Sequence, residues 1–490
     1  MTWGDTVYLL PEIVISLGAC FLLIAPVSGF RGSRAAKWAM LVLLALTAIA
    51  VVASSALVQN IDQTVMFRQM FALDAFSIFF KLLFIVTIAM IVLLSDDYLR
   101  NSRYSAWEYY SLLAFALCGM MFMASGIHLA SIYVGLELMS LSSYILAGYF
   151  KNEQKSTEAA MKYFVLGAVS SAILLYGISL IYGVTGTLNL LRIADSMATL
   201  VTNDALMFGI MLLGAGLCFK IAAAPFHVWT PDVYEGAPTP ITAFLSTASK
   251  SAAFAIFARI FYVGMHHFRL DWQYVLATIA ALSMIVGNFA AITQDNVKRM
   301  LAYSSIGHAG YVLLGIIAVN EMGLYGVLVY SVVYVFATLG IWATVLMLAQ
   351  HEYAGEQIDD FEGLHRRAPL WAFAMFIFLL SLGGIPPTAG FIGKYFLFYA
   401  AVGAGFGWLA VIAVLMSAVS MFFYLRIVMA MYLRDGQRAD VVSSGGLKLV
   451  AAICLIVTLL FGIMPTPLVE QAKISGTWVA TRAAALTNGR

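Results

Sequence analysis

Long apolar runs alternate with short polar segments along almost the whole of this sequence. A helix that crosses a membrane needs about 20 mostly apolar residues, and by that criterion the pattern predicts about fourteen spans in an all-α polytopic membrane protein. We number the spans 1 to 14 in chain order. They begin near Tyr8, Ala36, Phe71, Tyr109, Leu129, Ala159, Ala205, Thr239, Gln273, Met300, Met322, Leu370, Gly407 and Leu447.

Proline and glycine interrupt two of these runs. Pro225 lies inside span 7, and span 12 contains the segment Ser381–Phe398, with a Gly-Gly pair and a Pro-Pro pair. Proline cannot continue the helical hydrogen-bond ladder, so both spans are predicted to be discontinuous. The interruptions lie five spans apart, and a repeat of odd length reverses its orientation in the membrane. We therefore expect two inverted five-helix repeats, with broken helices 7 and 12 at matching positions.

The repeat divides the chain into four parts. Residues 1–108 are expected to hold three N-terminal spans, and residues 109–262 the first repeat with spans 4 to 8. Residues 263–433 would hold the second repeat with spans 9 to 13, and residues 434–490 a C-terminal span and tail. The halves share no strong direct sequence identity, so the repeat is inferred from the matched interruptions.

Composition supports a membrane protein and narrows its chemistry. Of the 490 residues 62% are hydrophobic and 11% are charged, which is unlike a soluble domain. The net charge of +2 gives no basis for binding nucleic acid. The four cysteines are isolated within apolar runs, and the common nucleotide and metal motifs are absent. We therefore expect no cofactor or metal to be bound by this chain alone.

Loop charge predicts the orientation of the chain. Most basic loop residues, including Arg34, Lys151 and Arg366, fall in one set of alternate loops. The positive-inside rule assigns that set to the cytoplasm. An even number of spans then places both termini on the opposite face.

Several basic residues lie inside predicted spans, at a cost of roughly 3 kcal/mol each at the membrane centre. Lys220, Lys250 and Lys394 are each deep in a span or beside a helix break, so we predict that they transfer protons. Lys162 lies early in span 6, and both a functional role and simple extension to the interface stay open. Arg259 lies towards a helix end and is expected to extend to the interface.

Glu137 is the only carboxylate that the pattern indicates deep in a span. We expect it to pair with a lysine on a neighbouring helix, with Lys220 as the first candidate. A neutral carboxyl with local hydrogen bonds is the alternative. His227 follows Pro225 by two residues and is a candidate proton relay, since imidazole titrates near neutral pH. A histidine bonded to freed backbone carbonyls is the alternative there.

Two further charged residues are expected to have structural roles. Arg426 lies towards a helix end, like Arg259, and is expected to extend to the interface. Lys81 has Asp74 two turns away on the same predicted helix, which favours a local structural role.

Three long motifs then identify a family. They are PFHVWTPDVYEGAPTPITAFLSTASK, DNVKRMLAYSSIGHAGY and GGIPPTAGFIGK, and they closely resemble the subunit N family of the proton-pumping NADH–quinone oxidoreductase, respiratory complex I. This family also resembles the large subunits of multisubunit sodium/proton antiporters. The resemblance covers essentially the whole chain. It implies fourteen helices, two inverted five-helix repeats, discontinuous helices 7 and 12 and a hydrated polar axis at mid-membrane.

The resemblance also implies roles for individual residues. Glu137 matches the family's fifth-helix glutamate, Lys220 its seventh-helix lysine and Lys250 its eighth-helix lysine. Lys394 matches the twelfth-helix lysine, and Lys162 matches a sixth-helix lysine. The lysine in span 12, and the lack of a long lateral helix, favour subunit N over the sister subunits M and L.

The leading hypothesis is a proton-translocating subunit of a redox-driven pump. The resemblance implies that NADH, FMN, iron–sulfur clusters and quinone are bound by partner subunits, and that the partners are other membrane-arm subunits, including sister antiporter-like subunits. A bacterial inner membrane is the expected location, with an organellar or thylakoid membrane as the alternative. A cation/proton antiporter without an electron-transfer arm is the second hypothesis, and a non-transporting scaffold is the third.

Overall fold

The computed structural model describes residues 7–30, 32–56, 65–67, 69–100, 104–199, 203–348, 356–436, 441 and 444–488. Within these residues eleven helices are long and apolar enough to cross a membrane. They are spans 2 to 6, 8 to 11, 13 and 14: Ser33–Ala56, Ala75–Arg100, Ala106–Ser125, Leu129–Ala147, Gln154–Thr185, Thr239–Gly264, His266–Ile292, Val297–Ala318, Glu321–Leu348, Gly407–Leu433 and Gly445–Ile463. Span 1 is the shorter helix Leu10–Ile24, and spans 7 and 12 are each divided into two halves.

Span 7 is discontinuous, as its proline predicts. Its first half, 7a, is Asp204–Lys220, and its second half, 7b, is Trp229–Gly236. Pro225 lies between them and has no N–H to continue the ladder. The backbone N–H of Ala224 instead donates to Ser283 Oγ of span 9 at 2.8 Å. A side chain from another span thus accepts a hydrogen bond from a backbone N–H group at the break.

Span 12 is discontinuous as well. Half 12a is Pro369–Gly383, and half 12b is Ala389–Gly403. Gly384 ends 12a with a φ of +83°, a left-handed conformation that glycine adopts without a steric penalty. The N–H of Gly390, in the first turn of 12b, donates to Ser381 Oγ of 12a at 3.1 Å. The two halves are therefore tied to each other across the break.

Closely packed glycines recur at matching places in the two repeats. A Cβ added at Gly119 of span 4 would lie 2.5 Å from the carbonyl oxygen of Gly135 in span 5. A Cβ added at Gly287 of span 9 would lie 2.5 Å from the backbone nitrogen of Gly307 in span 10. The backbones of spans 4 and 5 are thus in contact, and the same crossing recurs five spans later.

Span 8 is not a regular α-helix. It begins with the α-helical turn Thr239–Phe244 and continues through a π-helical turn, Leu245–Ser249. An α-helical segment, Lys250–Arg259, follows, and a second π-helical turn, Ile260–Gly264, ends the span. Isolated π turns inside α-helices occur frequently at functional sites. The apolar part of this span is fully buried within the chain.

The expectation for Arg259 is wrong, and the structural role expected for Lys81 involves a different partner. Arg259 does not extend to the interface; it is 0% exposed, and its guanidinium donates two hydrogen bonds of 2.8 Å to the carboxylate of Asp74. Lys81 pairs with Glu12 of span 1, at 2.6 Å, and not with Asp74. Glu12 lies in the first turn of span 1 and is only 1% exposed. Partners from distant parts of the chain neutralise these charges, and sequence spacing does not reveal such partners.

Arg426 behaves as expected. It reaches the loop that follows span 9, where it donates to the carbonyl of Ile292 at 2.6 Å and to Asp295 at 2.5 Å.

The remaining elements lie outside the spans. Strand β1, Val65–Met66, pairs antiparallel with β2, Phe71–Ala72. The helix Leu190–Thr199 joins spans 6 and 7. The residues expected to form a C-terminal tail are instead a helix, Thr466–Asn488, which packs against spans 3 and 11.

The crossing at Gly119 yields a test of the fold. We expect Gly119→Ala to lower the free energy of unfolding by about 1–3 kcal/mol, because its methyl group would overlap backbone atoms of span 5. Gly183→Ala is the matched control, since no atom lies within 4 Å of a Cβ added there. The measurement is the midpoint of thermal unfolding of the protein extracted from membranes. Equal midpoints for the two variants would contradict the close crossing.

Candidate functional site

The three predicted lysines are buried, and each lies beside an irregularity in its helix. Lys220 is the last residue of 7a, and Lys250 follows the first π turn of span 8. Lys394 lies in 12b and donates to the carbonyl of Gly383, the last residue of 12a, at 3.0 Å. Their exposed fractions are 5%, 1% and 3%, respectively. Only Lys394 takes a hydrogen-bond partner from a helix break, the carbonyl of Gly383. The partners of Lys220 and Lys250 lie on other spans.

Lys220 is held by hydroxyl groups of spans 5 and 6. Its Nζ donates to Ser140 Oγ at 2.9 Å, to Tyr144 Oη at 3.3 Å and to Ser171 Oγ at 3.5 Å. Ser171 Oγ in turn donates to Glu137 Oε1 at 2.5 Å. Glu137 and Lys220 are therefore brought together through one bridging hydroxyl group, and the expected direct ion pair is not formed between them.

Helix geometry explains this arrangement on span 5. Residues three and four apart share one face of an α-helix, so Glu137, Ser140 and Tyr144 all point towards the same side. The two hydroxyl groups occupy the space beside Lys220, and the carboxylate lies one turn further along the helix. Glu137 itself is half-exposed on the surface of this chain, next to the exposed apolar residue Val134.

Lys250 has neutral partners on span 10. Its Nζ donates to both the carbonyl oxygen and Oγ of Ser305, at 3.0 and 2.8 Å. A small cavity beside it is lined by His308, Tyr330 and Tyr334. No salt bridge to Lys250 occurs among the described residues, so the ammonium would rely on hydroxyl and carbonyl oxygens.

His308 lies between the Lys250 group and span 13. Its Nδ1 is hydrogen-bonded to the hydroxyl of Tyr330, and its Nε2 lies 3.0 Å from Tyr424 Oη. Tyr424 Oη is also 2.5 Å from Ser304 Oγ. The two tyrosine partners of His308 come from spans 11 and 13, so sequence spacing does not reveal this group.

Lys394 completes the row of buried lysines. Besides Gly383, its Nζ donates to Ser417 Oγ of span 13 at 2.7 Å, and it lies 4.7 Å from the ring centre of Tyr311. The ring of Tyr311 is in turn 5.6 Å from that of His308. Polar and aromatic groups therefore connect the surroundings of Lys250 with those of Lys394. Lys394 also lies on the wall of a mainly apolar groove of about 770 Å³ between 12b and span 13.

Lys162 lies outside this group. Its Nζ is 2.7 Å from Glu158 and 2.6 Å from Asp232 of 7b, and its side chain is 41% exposed. Arg299 also binds Asp232, at 2.9 Å. A charged cavity of about 210 Å³ is lined by these residues together with Lys155 and Glu235. The structure thus joins Lys162 to an ion-pair network that ties 7b to spans 6 and 10.

His227 is likewise separate from the lysines. It lies half-buried in the turn between 7a and 7b, and its Nδ1 has no hydrogen-bond partner among the described residues. Its proximity to Lys220 along the chain does not bring the two side chains into a hydrogen bond. Over the same residues, no group of three His, Cys, Asp or Glu side chains could hold a metal ion.

Comparisons with known proteins agree with these features. A family profile described as "NADH:quinone oxidoreductase/Mrp antiporter, TM" matches residues 126–420. The chain is 46% identical over 430 residues to "NADH-quinone oxidoreductase subunit N 2" of Rhizobium meliloti (strain 1021), covering 88% of each protein. It is 43% identical over 474 residues to "NADH-quinone oxidoreductase subunit N" of Trichlorobacter lovleyi, covering 95% of this chain and 96% of the relative.

A solved structure is also similar over nearly the whole chain. It is a chain of "Respiratory complex I from Thermus thermophilus with bound Aureothin", with a TM-score of 0.80 and 33% sequence identity. The alignment covers 94% of this chain and 98% of the other.

Proposed function

Because this chain belongs to the subunit N family of NADH–quinone oxidoreductases, we propose that it carries protons across the membrane as a membrane-arm subunit of such a complex. The observation that carries this proposal is the row of three buried lysines, each with hydroxyl or carbonyl partners beside a helix irregularity. Buried lysines in such surroundings can exchange protons near neutral pH, whereas arginine cannot.

The proposed transfer uses the lysine amines as carriers. A proton leaves the ammonium of Lys220 and is taken up by the neutral amine of Lys250, and it then passes by way of His308 to Lys394. His308 can accept a proton at one ring nitrogen and release another at the second, since both nitrogens have hydroxyl partners. Each transfer leaves one amine neutral and the next one protonated. The starting state is restored when Lys394 releases its proton on one side of the membrane and Lys220 takes up another from the opposite side.

Glu137 would set the charge of the first carrier. Its ionised carboxylate favours the ammonium form of Lys220 across the bridging hydroxyl of Ser171. Weakening that bridge would favour release of the proton towards Lys250. The hydroxyl bridge thus replaces the direct ion pair that the sequence suggested. Across the bridge, Glu137 favours the ammonium form of Lys220 less strongly than in direct contact, so a small movement of Ser171 can change the preference.

The energy for transport must come from other subunits. Moving one charge against the membrane potential costs about 2.3 kcal/mol per 100 mV. We propose that NADH, FMN, iron–sulfur clusters and quinone are bound by partner subunits, and that this chain binds none of them. The relatives are bacterial, which supports a bacterial inner membrane as the location.

Two features of the surface support contact with partner subunits. Glu137 is half-exposed, and the groove beside Lys394 opens to the outside of the chain. A charged group at membrane depth cannot be left facing lipid without a large cost. We propose that sister antiporter-like subunits of the membrane arm cover both places.

An antiporter without an electron-transfer arm is the alternative, since the family description includes both types of protein. The high identity to proteins named subunit N, over nearly the full length of both chains, favours the respiratory complex. A scaffold without transport would leave the three buried lysines without a purpose.

Purification separates these alternatives. We expect the complex isolated through a tag on this chain to contain flavin and iron–sulfur absorbance and to oxidise NADH with quinone as the acceptor. Isolation of an intact complex that lacks these groups, but exchanges cations for protons, would favour the antiporter.

The hydroxyl bridge supplies a test of the proton path. We expect Glu137→Gln to lower NADH-driven proton uptake by on the order of tenfold, and Glu137→Asp to retain part of it. Ser171→Ala should lower proton uptake by roughly threefold to tenfold, the usual range for one lost hydrogen bond. The measurement is proton uptake into membrane vesicles, normalised to assembled complex.

Ser179→Ala serves as the control, because Ser179 lies on the same helix as Ser171 but its hydroxyl is exposed and donates to the backbone carbonyl of Tyr176. Wild-type uptake by both Glu137→Gln and Ser171→Ala would mean that this carboxylate does not control Lys220.

A further inference from the structure

The α-helical segment of span 8 carries a buried cation at each end. Lys250 is its first residue, and Arg259 is its last. Nine residues of α-helix correspond to about 900° of rotation and a rise of about 13.5 Å, so the two side chains point to opposite faces of the segment. Lys250 faces span 10, and Arg259 faces spans 3 and 4.

Both ends of this segment adjoin π-helical turns, Leu245–Ser249 and Ile260–Gly264. A π turn contains an extra residue and interrupts the regular i to i−4 hydrogen-bond ladder. Each π turn therefore offsets the rotation of the segment relative to the helical turns beside it. Contacts with neighbouring spans help to hold the segment in that rotation.

Arg259 supplies the stronger of these contacts. Its guanidinium donates to both carboxylate oxygens of Asp74 at 2.8 Å and to the carbonyl of Ala124 at 2.9 Å. Its Cζ lies over the rings of Phe76 at 4.8 Å and Trp478 at 5.5 Å. A bidentate arginine–carboxylate bond fixes orientation as well as distance.

Asp74 is itself held firmly. It immediately precedes span 3, and its Oδ1 accepts from the backbone N–H of Ser77 at 2.8 Å, while its own N–H donates to Ser77 Oγ at 3.1 Å. This reciprocal pair caps the helix and fixes the carboxylate on a long, buried span. The anchor of Arg259 is therefore a rigid element outside both five-helix repeats.

We propose that Asp74 and Arg259 are positioning residues, which hold the segment Lys250–Arg259 in the rotation that brings the amine of Lys250 to Ser305. The inference rests on the proposed function, because it assigns the pair to one of the proposed proton carriers. In this proposal the N-terminal spans contribute to proton transfer, because the contact with Asp74 beside span 3 orients the segment that carries Lys250.

The test neutralises both members of the pair together. Single substitutions leave an uncompensated buried charge, which destabilises a protein whatever the pair's role. The double variant Asp74→Asn/Arg259→Gln keeps the charge balance and nearly the same volume. We expect it to assemble at close to the wild-type level, while NADH-driven proton uptake per assembled complex falls about tenfold, since small misplacements near reacting groups have large effects. The single variant Arg259→Lys keeps a positive charge opposite Asp74. We expect its proton uptake to lie between that of the wild type and that of the double variant.

The matched control is Glu12→Gln/Lys81→Gln. This pair is also buried, with an N–O distance of 2.6 Å, and it joins Lys81 of span 3 to Glu12 of span 1. Among the described residues neither side chain forms an ion pair with span 8. We expect wild-type proton uptake from this control. Wild-type uptake from Asp74→Asn/Arg259→Gln, or an equal loss in both double variants, would overturn the inference.

Lys250→Met, measured in the same vesicles, separates this inference from the proposed function. If Lys250→Met loses proton uptake while Asp74→Asn/Arg259→Gln retains it, only the positioning role fails. If Lys250→Met also retains full uptake, the carrier role of Lys250 fails, and the positioning role fails with it.

Discussion

Placing an ammonium group at membrane depth costs roughly 3 kcal/mol or more, and the surroundings of the three buried lysines depend on that cost. Lys220, Lys250 and Lys394 meet that cost with hydroxyl and carbonyl oxygens instead of carboxylates in direct contact. Only Lys394 uses an oxygen at a helix break, the carbonyl of Gly383, whereas the partners of Lys220 and Lys250 lie on spans 5, 6 and 10. Each lysine nevertheless lies beside an irregularity in its own helix or its own span.

The structure also separates two kinds of buried charge. Two direct ion pairs are buried, Arg259 with Asp74 at 2.8 Å and Lys81 with Glu12 at 2.6 Å. One member of each pair lies on span 3 or immediately before it. The three lysines of the proposed path have no such counter-ion among the described residues. A direct, buried pair holds both charges in place, whereas neutral partners allow an amine to gain and lose a proton. The fixed pairs thus suit support, and the neutral surroundings suit transfer.

The spans and breaks could be predicted because each depends on local sequence: apolar length gives the span, and Pro225 and the Gly-Gly and Pro-Pro pairs end the helices. The partners of the charged residues could not be predicted. Ser171 reaches Glu137 from the next helix, and Asp74 reaches Arg259 across 185 residues of sequence. Such contacts depend on how helices pack, which span length and periodicity do not specify. The π turns of span 8 have no distinctive local signal either.

The most direct measurement of the central claim is proton uptake by Lys220→Arg, with Lys81→Arg as the control. Arginine keeps the positive charge and can use the same oxygen partners, but it does not release a proton in proteins. If Lys220 is a carrier, the complex should assemble while NADH-driven proton uptake falls sharply, and Lys81→Arg, a change in a fixed ion pair, should pump normally. Full proton uptake by assembled Lys220→Arg would contradict the account.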